Sequence, residues 1–154
     1  MGHTISFNSI QPNNENIRAI VDFPQPQDMK QLQRFLGMEN VYHKHIHNHA
    51  MIRRPLTNLL KKDVIWNWSD QCEKAFNKLK EELASKPILT IFDPIKPCII
   101  YCDASQQGIG AVLKQKQANG DELLISYFSR KLLKHEDNYA ITELECLAIV
   151  EADE

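Results

Sequence analysis

The apolar residues change period partway along the chain. Cys72, Ala75, Phe76, Leu79 and Leu83 fall at offsets of 0, 3, 4, 7 and 11, which is one face of a helix about three turns long. Ser69 stands before them as an N-cap, and Pro87 ends the helix. Beyond it, Pro97–Asp103 reads as a strand, Ala104–Gly108 as a turn and Ile109–Gln115 as a second strand. Ala118-Asn119-Gly120-Asp121 carries the Asn-Gly pair of a hairpin turn, and Glu122–Ser129 follows as a third strand. After a loop, a helix starts at about Tyr139 or Ile141, with Ile141, Leu144, Leu147 and Ala148 as its apolar face. Gly108 and Gly110 suit a tight hairpin, where glycine relieves the backbone.

The front of the chain is different. Residues 1–20 read as a short strand or loop leading into an extended segment. Phe23-Pro24-Gln25-Pro26 is a linker, because two prolines stop any helix. Asp28 then caps a helix whose stripe is Met29, Leu32, Phe35 and Leu36, ended or thinned by Gly37. A second helix is expected over Val41–His49 and a short third over Arg54–Leu60, with Pro55 near its start, where proline is tolerated. Val64–Trp68 is aromatic and extended, so Trp66 and Trp68 should point to opposite faces and serve packing. The architecture expected is α+β: a small helical cluster, then a three-stranded antiparallel meander with one helix.

Composition narrows the function classes. Of 154 residues, 43% are hydrophobic and 25% charged, ordinary usage for a globular domain. No apolar run nears the ~20 residues of a membrane span, and no signal peptide opens the chain. Cys72, Cys98, Cys102 and Cys146 form no CxxC pair, which speaks against a zinc site or disulfide framework and for a reducing intracellular setting. The net charge of −2 hides an asymmetry: residues 1–62 hold eight Lys/Arg against four Asp/Glu, and residues 63–154 hold ten against sixteen. Two solvated surfaces explain this, and so does a basic half that meets phosphates beside an acidic half that meets cations.

Two acids are candidates for chemistry. Asp103 ends an apolar strand, although aspartate is a poor strand former. There it either starts a turn by accepting backbone N–H bonds or offers oxygen to a hard cation such as Mg²⁺. Glu145 sits at the edge of the last helix's apolar face, while Glu143 lies toward water. It is either a solvent-edge residue or a buried-side carboxylate that needs a cation. If that helix packs on the meander, Asp103 and Glu145 converge on a divalent ion. The run His43, His45, His47, His49 offers two i, i+4 pairs that could grip zinc or copper on a helix. With no further ligand close by in sequence, an exposed, partly basic helix is the reading preferred.

Several segments taken together have a family likeness. Phe35-Leu36-Gly37-Met38-Glu39-Asn40-Val41-Tyr42 and Pro55-Leu56-Thr57-Asn58-Leu59-Leu60-Lys61-Lys62 resemble the region just after the polymerase palm in gypsy-type LTR retrotransposon Pol proteins. Trp68–Lys80, Cys102-Asp103-Ala104-Ser105, Gly108–Leu113, Tyr127–Leu132, Asn138-Tyr139 and Thr142–Val150 continue the resemblance in order over almost the whole chain.

The resemblance implies a piece of a reverse transcriptase: the end of the palm and a linker over 1–26, a helical thumb or connection over 27–86, and part of an RNase H domain over 87–154. Such domains cut the RNA strand of an RNA–DNA hybrid with a two-metal site. By the resemblance, Asp103 is the first acid and Glu145 the second, both ligands of Mg²⁺. The implied partners are an RNA–DNA hybrid or template-primer and the remainder of the Pol polyprotein, without a membrane, inside the cell in the cytoplasm, nucleus or a retroelement particle. The polymerase Tyr-x-Asp-Asp motif is absent, and the chain ends nine residues after Glu145, short of the family's third and fourth acids. A fragment, catalytically incomplete alone and with an exposed sheet edge, is therefore expected. The alternative is a non-catalytic module, derived from a retroelement, that binds nucleic acid or protein.

Overall fold

The structure is a computed structural model that describes residues 3–6, 9–85 and 89–153. Its front half is the expected helical cluster, built from α1 (Asn14–Val21), α2 (Met29–Asn40), α3 (His49–Ile52), α4 (Arg54–Asn58) and α5 (Asp70–Ala84). Asp28 caps α2 by accepting from Gln31 N, and Ser69 caps α5 by accepting from Cys72 N, as their positions predict. Pro55 sits in the first turn of α4. All five stripe residues of α5 are buried, and they pack with Leu32, Phe35 and Leu36 of α2. The Phe35 and Phe76 rings lie 4.6 Å apart in a tilted pair, a geometry aromatic rings prefer. Met29, at the start of the α2 stripe, is left at the surface.

Several expectations fail here, each for a physical reason. Residues 14–21 are helical: Asn13 caps α1 through Glu15 N, and Ile17 and Ile20 enter the core. Ahead of α1, β1 (His3–Ser6) and β2 (Ser9–Pro12) form a hairpin, and β2 also pairs with β3 (Leu89–Thr90). That pairing joins residues about eighty positions apart, so local sequence gives no sign of it. Gly37 lies inside α2 and does not end it. The Trp66 and Trp68 rings do not diverge: their centroids are 6.0 Å apart, and both pack against the helical core. Pro87, the expected helix stop, lies outside the described residues.

The helix expected over Val41–His49 is absent. His43–His45 is one 3₁₀ turn, and Asn48 then takes a left-handed φ of 53° before α3. Neither i, i+4 histidine pair therefore lies along one helix. His45 and His49 are buried instead of exposed. His49 Nε2 stands 2.6 Å from Glu39 Oε2, Arg53 Nε stands 3.5 Å from Glu39 Oε1, and the Glu39 side chain is fully buried. Burial of that carboxylate is what draws His49 inward.

The second half is the expected antiparallel meander of β4 (Cys98–Ser105), β5 (Gly108–Lys116) and β6 (Glu122–Lys131), in the order β4-β5-β6. The β4–β5 turn is tighter than expected, because β4 continues through Ser105. Gly120, in the β5–β6 turn, has φ +92°, the backbone an Asn-Gly hairpin needs. β4 is an edge strand, and among the described residues no further strand pairs with its outer side. α6 (Ile141–Asp153) lies across β4 and β5 and buries Leu144 and Ala148 against a face that includes the buried Ile109 and Ala111.

The helical cluster meets the opposite face. Ala50 N donates to Ser129 Oγ at 2.9 Å, and the His47 and Tyr127 rings lie 5.3 Å apart. This seam accounts for the glycines of β5. A Cβ at Gly108 would lie 1.8 Å from Met51 Cε and 2.5 Å from the Arg130 carbonyl oxygen; at Gly110 it would lie 3.0 Å from Asn48 Oδ1. Neither has a positive φ, so they serve close approach between the two halves, not the turn.

Candidate functional site

β4 sets the position of Asp103. Along Tyr101–Ser105 exposure alternates, with Cys102 and Ala104 half-buried and Tyr101, Asp103 and Ser105 exposed. Cys102 points at α6, where its thiol donates to the Ala148 carbonyl at 3.6 Å. Burial pushes the Cys102 thiol above the ordinary cysteine range. Strand alternation then directs Asp103 to the other face. Its register partner is Gly110, which Asn48 of the helical cluster approaches. On the same face Tyr101 donates to Glu122 at 2.9 and 3.0 Å, and Lys114 Nζ lies 4.9 Å from the Tyr101 ring centroid.

Glu145 stands on α6 next to the fully buried Leu144 and one turn before Ala148. The 100° step per residue sets it at the margin of the buried stripe, and its side chain is exposed. The two acids stand on two elements in direct contact, each within a few residues of the Cys102–Ala148 bond. Asp103, however, leaves β4 on the face away from α6, so the structure brings their backbones close and does not bring their carboxylates together. Neither side chain forms a hydrogen bond or ion pair with a described residue. Glu143 behaves differently: its Oε2 accepts from Ala140 N at 2.7 Å and caps α6.

α6 is also tied to the sheet by a network that sequence reasoning misses. Arg130 on β6 donates from Nη1 and Nη2 to Glu136 Oε2 and Oε1 at 2.8 and 3.0 Å, and from Nη2 to Glu151 Oε1 at 2.6 Å. Glu136 also accepts from Leu133 N at 2.7 Å. The guanidinium beside Glu136 holds that carboxyl down at about 2, and the two glutamates raise Arg130 further. Nothing in the sequence around Glu136 marks it as buried; only the alternation of β6, which sends Arg130 to the α6 face, hints at a partner.

As a metal site, Asp103 and Glu145 offer the right donors and too few of them. Free carboxylate oxygens suit a hard divalent cation. Among the described residues, no three His, Cys, Asp or Glu side chains are grouped to hold an ion. The histidine run forms no such group either: His43 Nδ1 contacts the Asn40 carbonyl at 2.9 Å, His47 packs on Tyr127, and His49 is engaged with Glu39. All four cysteines are free.

Comparison with known proteins bears on this geometry. Residues 68–154 match the family described as an RNase H-like domain found in reverse transcriptase. Over 152 residues the chain is 37% identical to the Transposon Tf2-3 and Tf2-4 polyproteins of Schizosaccharomyces pombe (strain 972 / ATCC 24843), a match that covers 99% of this chain. It spans 11% of the length of those relatives. The fold is similar to that of the foamy viral protease-reverse transcriptase in complex with dsDNA, with a TM-score of 0.80 at 18% identity over 99% of this chain and 33% of that one. In its complex with RNA/DNA hybrid the same kind of protein gives a TM-score of 0.81 at 19% identity, over 99% of this chain and 21% of that one.

Proposed function

We propose, on the premise that this chain belongs to the family of RNase H-like domains found in reverse transcriptases, that it works within a retrotransposon Pol polyprotein on RNA–DNA hybrids, with Asp103 and Glu145 as two of the acids that surround the scissile phosphate. One observation carries the reading: in a meander of this family, the strand that bears Asp103 and the helix that bears Glu145 are in contact through Cys102 and Ala148. Asp103 and α6 lie on opposite faces of β4, so a shared ion would sit at the open edge of that strand, which both exposed carboxylates border; oxygen donors of this kind suit a hard cation. Mg²⁺ ions, when bound in such sites, polarise the phosphate and activate water. Asp103 and Glu145 would hold them, and two carboxylates are too few for two ions. The remaining ligands therefore come from other parts of the polyprotein, and the chain alone is catalytically incomplete.

The division proposed is the end of the palm and a linker over 1–26, a thumb- or connection-like region over 27–86 and RNase H-like structure over 87–154. Ile17 and Ile20 pack into the second unit's core, and β2 pairs with β3 of the third, so the units interlock at their edges. No described helix is long and apolar enough to cross a membrane. The proposed setting is intracellular, in the cytoplasm, the nucleus or a retroelement particle. A second reading, a non-catalytic binding module, is favoured by the excess of eight Lys/Arg over four Asp/Glu in residues 1–62.

A labelled RNA–DNA hybrid incubated with Mg²⁺ and resolved on a gel tests the proposal. The chain joined to its polyprotein should cut the RNA strand, and Asp103→Asn or Glu145→Gln should abolish cutting; the 154-residue chain alone should cut weakly or not at all. Cleavage that survives both substitutions contradicts the assigned roles. Robust cleavage by the chain alone contradicts its incompleteness. Hybrid binding without cleavage, even within the polyprotein, favours the second reading.

A further inference from the structure

The seam between the helical cluster and the main sheet carries cations that no described carboxylate neutralises. Lys131, at the end of β6, donates from Nζ to Thr57 Oγ1 on α4 at 2.7 Å, and Thr57 Oγ1 donates to the Arg54 carbonyl at 3.1 Å. These two bonds tie the Lys131 ammonium to the first turn of α4, from which Arg54 extends into solvent. Lys61 follows one turn after Thr57 and is exposed. Several cations elsewhere have partners: Lys78 with Glu82, Lys114 with Glu122 and Arg130 with Glu136 lie within ion-pair distance. Arg54, Lys61 and Lys131 form no ion pair with any described residue.

The Lys131 ammonium registers this crowding. Burial pushes it below the ordinary lysine range first, and the like charges of Lys61, Arg54 and Arg53 push it further. Arg53 is partly balanced by Glu39; the other three are not. A one-signed cluster repels itself and gains most from a polyanion laid across it.

We propose that Arg54, Lys61 and Lys131 form a phosphate-binding seam that grips the backbone of a nucleic-acid duplex from the helical cluster and the RNase H-like sheet at once. The inference rests on the proposed RNA–DNA hybrid substrate and names the residues that dock it. The Arg54 guanidinium can hold a phosphate with two parallel N–H bonds, while the lysines act as point charges. Such contacts fix the position of the duplex and carry no sequence information.

Fluorescence anisotropy of a labelled RNA–DNA hybrid against the full chain, over a series of salt concentrations, reads the proposal. Removing one phosphate-binding side chain should lower the slope of log Kd against log salt by about 0.9. Arg54→Gln with Lys61→Gln alters only exposed side chains and should lower it by about 2, with at least about tenfold weaker binding at low salt. Adding Lys131→Gln should lower the slope again, and Lys131→Arg should restore that part. Lys116→Gln, at the opposite end of the meander, should leave the slope unchanged. Vesicles of phosphatidylserine in phosphatidylcholine should not retain the chain. A triple variant that binds hybrid with the wild-type slope overturns the seam and leaves the hybrid as substrate. A wild-type chain that ignores hybrid overturns both, and patch-dependent vesicle binding in place of hybrid binding overturns the assignment to nucleic acid.

Discussion

Arg130 and Glu136 face each other as fork and carboxylate: both guanidinium nitrogens donate, at 2.8 and 3.0 Å, to the two oxygens of a side chain that is 4% exposed. The same guanidinium reaches Glu151 on α6. One strand residue therefore ties the loop after β6 and the last helix to the sheet.

Breaking that tie from one side should cost more than its hydrogen bonds. Arg130→Met leaves Glu136 buried without its cation and should destabilise the chain by about 3 kcal/mol, measured as a shift in the urea midpoint at constant slope. Glu151→Gln keeps the Glu136 pair and should cost less than about 1 kcal/mol. That difference identifies Glu136 as the main partner.

The glycines separate close approach from helix entropy. Gly108→Ala puts a methyl 1.8 Å from Met51 Cε and 2.5 Å from the Arg130 carbonyl oxygen, and should destabilise by about 1–3 kcal/mol. Met51→Ala should rescue only part of the loss, because the backbone oxygen cannot withdraw. Gly37→Ala meets nothing within 4 Å inside α2 and should stabilise by about 0.5–1 kcal/mol. Thermal melts of the three variants check both signs.

His45 should make stability depend on pH. Burial, with smaller pushes from His3 and His43, lowers its pKa from 6.5 to about 4. The folded state prefers the neutral ring, so the contribution is full above pH 6.5 and is lost as pH falls toward 4. It amounts to at most about 3 kcal/mol. The contribution of Glu136, held down at about 2 from 4.5, is present above its unfolded value and lost at still lower pH. His45→Phe should flatten the unfolding profile in the upper window and leave the lower one intact.

The open edge of β4 and the outward face of α6, where Ile149 and Val150 are each 60% exposed, should make the isolated chain self-associate. Sedimentation velocity at rising concentration is the check, and a monomer with a cooperative melt at high temperature contradicts it.

How much of the molecule is legible in the sequence depends on the range of the forces involved. The stripe of α5, the caps at Asp28 and Ser69, and the β4–β5–β6 meander follow from local periodicity and turn chemistry, and the structure has all of them. The β2–β3 pairing, the buried Glu39–His49 contact and the Arg130–Glu136 fork are hidden, because each depends on residues that meet only after the chain has folded. The histidine run misleads for the same reason: alternating polar residues suggest a solvated helix unless a buried acid is known to wait ten positions away. Asp103 is visible as an acid out of place in a strand, whereas Glu145 draws attention mainly through the family resemblance. The glycines at 108 and 110 suggest a turn when read locally, since the seam they serve comes from a distant part of the chain.

Asp103 and Glu145, if they hold one cation between them, must respond together to a single paramagnetic ion. Paramagnetic broadening by Mn²⁺ of the amide signals of the isotopically labelled chain reads this. Residues 102–104 and 144–146 should broaden together at the same Mn²⁺ concentration, and Asp103→Asn should relieve both groups. Broadening at only one of the two segments, or centred on His43–His49 instead, would contradict a shared site.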